Sequence, residues 1–245
     1  MKRVELIAVD GVPEVQPGDD LGEMIGLRAI LQAGDVVVVA QKVVSKAEGR
    51  IVDLDTITVT ARAVDIAARL IARPDPRMVQ VALNESVRVL RSERVLITET
   101  RHGFVCANSG VDHSNVGGRN ALTLLPLDPD ASASRLRDRL REVTGVEVGV
   151  IVSDTFGRPW RLGIVNVALG VAGLPALVDL RGSLDDDGKP LHATVLAVAD
   201  DAAAAAGIVM GKTGRSPAVI VRGAQLAGGG TGRELIRAPE EDLFR

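Results

Sequence analysis

Cysteine is almost missing: Cys106 is the single thiol among 245 residues. One chain therefore builds neither a disulfide framework nor a multi-thiolate metal site. Aromatic residues make up 2% of the chain and tyrosine is absent, so there is little for the bases of single-stranded nucleic acid to stack on. The net charge of -3 forces no basic face for duplex DNA. The three histidines, His102, His113 and His192, are too scattered for a zinc motif. Long hydrophobic runs are lacking as well. Each one is broken by charge, glycine or proline, so none spans a bilayer, and Met1 to Leu6 carries no apolar signal region. The expectation is a cytoplasmic protein with neither nucleic acid nor membrane as partner.

What the chain does have is aliphatic. Hydrophobic residues are 46%, enough for a substantial core, and with so few rings it must be built of Val, Leu, Ile and Ala. Val4–Val9 reads as a strand. Asp20 caps a predicted helix running through Leu31. Val36-Val37-Val38-Val39-Ala40 is apolar on both faces, the mark of a central buried strand. Helices are expected over Ala61–Ala72, Met78–Leu83 and Pro129–Glu142. Strands are expected over Val87–Leu90, Val95–Thr98, Leu122–Leu125, Val148–Val152, Ile164–Val171 and Pro217–Val221. Ala193–Met210 begins as a strand and turns helical near Asp200. No internal repeat or linker divides the chain.

Against this background the polar stretches stand out. Ala107-Asn108-Ser109-Gly110-Val111-Asp112-His113-Ser114-Asn115 packs short polar side chains onto a glycine-bent backbone. That composition suits either a surface turn or a site for a cation or phosphate. Ser153-Asp154-Thr155 ends an apolar strand, a common place for chemistry. Gln41 to Arg50, with Lys42, Lys46, Ser45 and Glu48, follows the buried valine strand. Taken alone it reads as a solvated edge hairpin; beside a nucleotide its lysines would meet phosphates. Phe156 to Gly163 holds the only Trp between Arg158 and Arg161, either a lid over the core or a steering device for an anionic substrate. Asp185-Asp186-Asp187 reads as a solvated turn. Ala206 to Thr213 fits a loose P-loop pattern, but a helix-forming stretch precedes it and Ile-Val-Met fills the loop, which a phosphate cradle does not allow.

Five pieces in register, spanning nearly the whole chain, resemble the coenzyme F420-0:L-glutamate ligase family. They are Val44 to Arg50, Asn108 to Asn115, Ser153 to Arg158, Met210 to Lys212 and Val221 to Gly223. The resemblance implies an α+β fold of mixed, largely antiparallel sheets with flanking helices, unlike a P-loop fold. It implies a single ligase domain over residues 1–245, open to division into two intertwined subdomains, and a homodimer. The implied activity is GTP-dependent addition of L-glutamate to F420-0 or its dehydro precursor, with further gamma-linked glutamates open. Mg2+ or Mn2+ is implied, two per site, with K+ as a helper. By motif, Asp112 and Asp154 would hold one divalent ion and Thr155 a second, with Asp112, Asp154 and Lys46 as the catalytic set. GTP would be held by Val12, Pro13, Glu14, Val15, Gln41, Lys42, Lys46, Asn115, Met210, Gly211, Lys212, Thr213, Gly214, Arg215, Ser216 and Pro217. Lys212 departs from relatives in which an oxygen-bearing side chain helps hold the second metal. A protonated lysine cannot ligate, so Lys212 either contacts phosphate or the second ion is held differently. Two rival readings remain: a metal-dependent phosphoester hydrolase using Asp112 and Asp154, and a non-catalytic nucleotide-binding regulator.

Overall fold

The structure is a computed structural model and describes residues 3–113, 120–212, 214 and 216–242. Chain order is β1 (Glu5–Ala8), α1 (Leu21–Gly26), β2 (Val36–Ala40), α2 (Gln41–Ala47), β3 (Ile51–Asp53), α3 (Ala61–Arg69), α4 (Pro76–Asn84), β4 (Ser86–Glu93), β5 (Val95–Thr100), β6 (Val105–Ala107), β7 (Ala121–Thr123), α5 (Pro129–Thr144), β8 (Gly149–Arg158), β9 (Arg161–Ala172), β10 (Val178–Asp179), β11 (Val195–Leu196), α6 (Val198–Met210) and β12 (Ala218–Arg222).

The architecture is α+β. A five-stranded sheet runs in the order β1-β12-β2-β8-β9. Its neighbours are antiparallel except for β2 and β8, which run parallel from Val36↔Gly149 to Ala40↔Ser153. The valine run is central, as its two-faced apolar character requires. Val37 and Val39 pack with Ile25, Leu136 and Leu140 from α1 and α5. Val36 and Val38 pack on the other face with Ala199, Ala203 and Ala206 from α6. Each such side chain taken from water contributes roughly 1.5–3 kcal/mol. Alanine on α6 lets the helix sit close to the sheet, so a core with few rings still fills.

Residues 51–123 leave this sheet and return to it. They form a three-stranded sheet, β4-β5-β6, a β3–β7 ladder, and α3 with α4 packed between them. Across the sheet's far side, Arg222 clasps the buried Asp35 through two contacts of 3.0 and 2.7 Å and also donates to the Ile30 carbonyl. That clasp ties the end of β12 to the turn entering β2.

Several expectations are corrected. Gln41 to Ala47 is a helix, and Gln41, Ser45 and Lys46 are buried, so the stretch is no solvated hairpin. The first helix stops at Gly26, leaving Ile30 84% exposed. The helix from Ala61 stops at Arg69, because Leu70 bridges to Arg94. Trp160 covers no core: it sits at the tip of the long β8–β9 hairpin with Leu162 and Ile164, at 74%, 97% and 63% exposure. Ile51–Asp53 and Val105–Ala107 are strands too short to announce themselves by pattern. As expected, Gly211 follows a helix instead of preceding one, which is the reverse of a phosphate-cradling loop.

Candidate functional site

The site lies where the parallel pair ends. Ligands in open sheets gather outside the carboxyl ends of parallel strands. There Ala40 hands over to α2, while β8 continues into Asp154 and Thr155. Successive strand residues point to opposite faces. Asp154 therefore turns toward Cys106, Asp112 and Lys42, whose charges or burial it shares. Thr155 turns to the face covered by α6, and its hydroxyl donates to Oδ1 of Asn166, its cross-strand neighbour on β9, at 3.0 Å.

Asp112 reaches the site on a backbone held from both sides. Its N–H and carbonyl pair with Thr123 at 3.0 and 2.9 Å. The turn before it takes an unusual path: Asn108, Ser109 and Gly110 have φ of 52°, 55° and 69°. Such a left-handed run costs energy for non-glycine residues and persists only when its surroundings fix it. Here Ser109 is 1% exposed. Its N–H donates to Thr98 Oγ1 at 2.9 Å and its hydroxyl to the Ala82 carbonyl at 2.7 Å. Gly110 admits no side chain, since a Cβ would lie 2.7 Å from Leu125.

Two lysines act on the carboxylates, and a third lies one helical turn further along α2. Lys42 Nζ lies 2.6 Å from an Asp112 oxygen. Lys212 Nζ donates to Thr155 Oγ1. Lys46, 5% exposed, pairs with Glu14. Burial carries the Asp154 carboxyl up to about 6; the Thr155 N–H and the Lys212 and Lys42 ammonium groups pull down, and Asp112 pushes up. Burial likewise pushes the Cys106 thiol up to about 12, with Asp154 adding to it and the Gly110 N–H opposing. Cys106 is thus an inert wall of the site.

The segments expected to hold a nucleotide converge on this rim. Glu14 meets Lys46, and Asp10 accepts from Ser216 Oγ at 2.7 Å, so the 10–15 turn spans α2 and the segment after α6. Val15 and Met210 are buried, Val12 and Pro217 half-buried, and Pro13, Gly211 and Gly214 exposed. Gln41 is buried and its amide donates to Ser45 Oγ and the Leu124 carbonyl at 2.6 and 2.9 Å, so both its protons are engaged within the protein. Asn115, Thr213 and Arg215 lie outside the described residues. Arg158 donates to the Leu162 carbonyl and closes the hairpin.

The donor set fits a hard cation. Two carboxylates and a hydroxyl are the share of ligands a protein gives Mg2+ when phosphate oxygens supply the rest. Among the described residues, no three His, Cys, Asp or Glu side chains group to form an all-protein cage. The positive charge at these oxygens comes from the Lys42 and Lys212 ammonium groups. Asn166, at 9% exposure, is the partner that sequence reasoning missed. Its only signal was a lone amide between Val165 and Val167.

A family model described as F420-0:Gamma-glutamyl ligase matches residues 11–223. Proteins named Coenzyme F420:L-glutamate ligase are similar over nearly the full length. That of Haloarcula marismortui is 47% identical over 99% of this chain and 96% of its own. Those of Archaeoglobus fulgidus and Methanothermobacter thermautotrophicus are each 46% identical, covering 99% of this chain and 97% and 99% of their own.

Proposed function

The chain belongs to the F420-0:gamma-glutamyl ligase family, and from that membership we propose that it joins L-glutamate to F420-0 at the expense of GTP. It is a ligase of coenzyme F420 formation. The observation that carries the finer reading is the meeting of Asp112 and Asp154 with Lys42 and Lys212 at one end of the parallel strands, with Lys46 one helical turn along α2 from Lys42. Acid and base side chains in that mixture suit triphosphate and cation together, not either alone.

A carboxylate is a poor acylating agent. The γ-phosphate of GTP is transferred to it, giving an acyl phosphate and GDP; the glutamate amine then attacks the acyl carbon and phosphate leaves. Little covalent chemistry falls to the protein, so its task is positioning and neutralising charge. Asp112, Asp154 and Thr155 would hold Mg2+ or Mn2+, two per site, which when bound neutralises phosphate oxygens. Lys46, buried and paired with Glu14, would turn to the departing diphosphate once phosphate competes for it. Lys42 and Lys212 leave Asp112 and Thr155 for phosphate in the same exchange. K+ as a helper and addition of further glutamates belong to the same reading.

A homodimer belongs to the same reading, and the exposed Trp160, Leu162 and Ile164 on the projecting β8–β9 hairpin are apolar groups that a partner would cover. The test is direct. Purified protein with GTP, Mn2+, glutamate and F420-0 lengthens the coenzyme by glutamate and releases GDP and phosphate in equal amounts. Absence of GDP with all substrates present overturns the reading. Turnover of a phosphoester without GTP or glutamate would instead mark a hydrolase.

A further inference from the structure

Thr155 and Asn166 are direct partners across the β8–β9 ladder. A hydroxyl has one proton and two lone pairs. The Thr155 proton is spent on Asn166 Oδ1 at 3.0 Å, so only lone pairs are left for whatever lies on the other side. What lies there is a cation, the Lys212 ammonium. The amide is itself oriented: Nδ2 turns to Ser153 Oγ at 3.5 Å and Met210 Sδ at 3.8 Å, which directs Oδ1 at Thr155. Gly207 on α6 makes room for this, since a Cβ there would come within 3.1 Å of the Asn166 amide carbon.

We infer that Asn166 is a positioning residue that holds the Thr155 hydroxyl as a pure acceptor, so that it can bind a cation at the nucleotide site. The inference rests on the metal-dependent reading above. An unanchored threonine hydroxyl turns its proton toward solvent or phosphate and presents a donor where an acceptor is needed. Asn166 touches neither cation nor nucleotide; it acts through Thr155.

The test is a Mn2+ titration of the full chain in the presence of GTP, followed by loss of the free ion's paramagnetic resonance signal. Asn166→Leu weakens Mn2+ about 10–100-fold, the usual cost of losing a partner of a metal ligand. Asn166→Asp keeps an acceptor and binds at least as tightly as native. In a Thr155→Val background, Asn166→Leu causes no further loss, because its route is gone. Urea unfolding confirms that each variant is folded; should the leucine not fold, Asn166→Ala takes its place. Native-like Mn2+ binding by the folded Asn166 variant overturns the inference, as does weakening by Asn166→Asp or an equal loss with and without Thr155. Failure of native protein to bind Mn2+ with GTP is a different result: it overturns the metal-dependent reading and the inference with it.

Discussion

Lys42 is seated on Asp112, nitrogen to oxygen 2.6 Å apart, with its charge also felt by Asp154. The same ammonium therefore competes for the carboxylate on which a divalent ion would bind. Pairs this exposed are worth about 0.2–1 kcal/mol. Lys42→Met should tighten Mn2+ binding to nucleotide-free protein about 2- to 5-fold. It should weaken GTP about tenfold or more, since hydrogen bonds to charged groups contribute about 1.5–3 kcal/mol. Calorimetric titration with each ligand separately checks both signs. A fall in both affinities would show that Lys42 does not compete with the ion.

Asp154 should trade stability for function. Its carboxyl is carried from 3.8 to about 6 in the folded protein, chiefly by burial. A raised folded value contributes stability below the ordinary value and loses it as pH climbs through about 6. Metal-free protein should therefore be less stable at pH 8 than this carboxyl would allow at pH 4.5. Asp154→Asn removes the half-buried charge and should gain about 1–3 kcal/mol at pH 8, with a clearly smaller gain at pH 4.5. Activity should fall about 10²-fold or more. Urea unfolding at both pH values in EDTA tests this; destabilisation at pH 8 refutes it.

The Asp35–Arg222 clasp is far from the chemistry and purely structural. Asp35 is 1% exposed, so removing Arg222 strands a buried charge. Arg222→Ala should cost about 3–5 kcal/mol of unfolding free energy. Asp35→Asn with Arg222→Ala should recover part of that loss. The denaturant midpoints of the single and double variants decide the matter.

Gly110→Ala combines two penalties: a left-handed φ of 69° and a Cβ 2.7 Å from Leu125. Gly34→Ala, with φ 83° but open space around it, pays only the first. The expected costs are about 1 kcal/mol at Gly34 and about 2–4 kcal/mol at Gly110. Only the Gly110 change should also lower turnover, because it moves the Asp112 backbone. Paired melting and activity measurements separate the two effects.

The central strand was legible because Val36 to Ala40 leaves no polar face, and a strand with helices on both sides needs none. The helix expected over Pro129 to Glu142 was legible too and forms α5; its cap, Asp128, which accepts from the Ala131 N–H, was not singled out. The α2 segment was misread for an instructive reason. Gln41, Ser45 and Lys46 are polar yet buried, because Gln41 pairs with Ser45 and the Leu124 carbonyl, and Lys46 with Glu14, instead of water, and periodicity weighs polarity as exposure. Asp112 and Asp154 stood out by composition. Their meeting depends on the excursion of residues 51–123 folding back, which no local pattern encodes. Asn166 was hidden because one amide among valines resembles an ordinary strand residue until its partner is known.

That excursion carries a consequence for heat. One of the two acidic groups arrives on a limb fastened near the site by the Asp112–Thr123 bridge, the Gln41–Leu124 contact and the Leu124–Arg50 contact. The valine-filled centre has no such dependence. Local opening takes the least-anchored unit first. Warming should switch off turnover, reversibly, some degrees before the molecule as a whole comes apart.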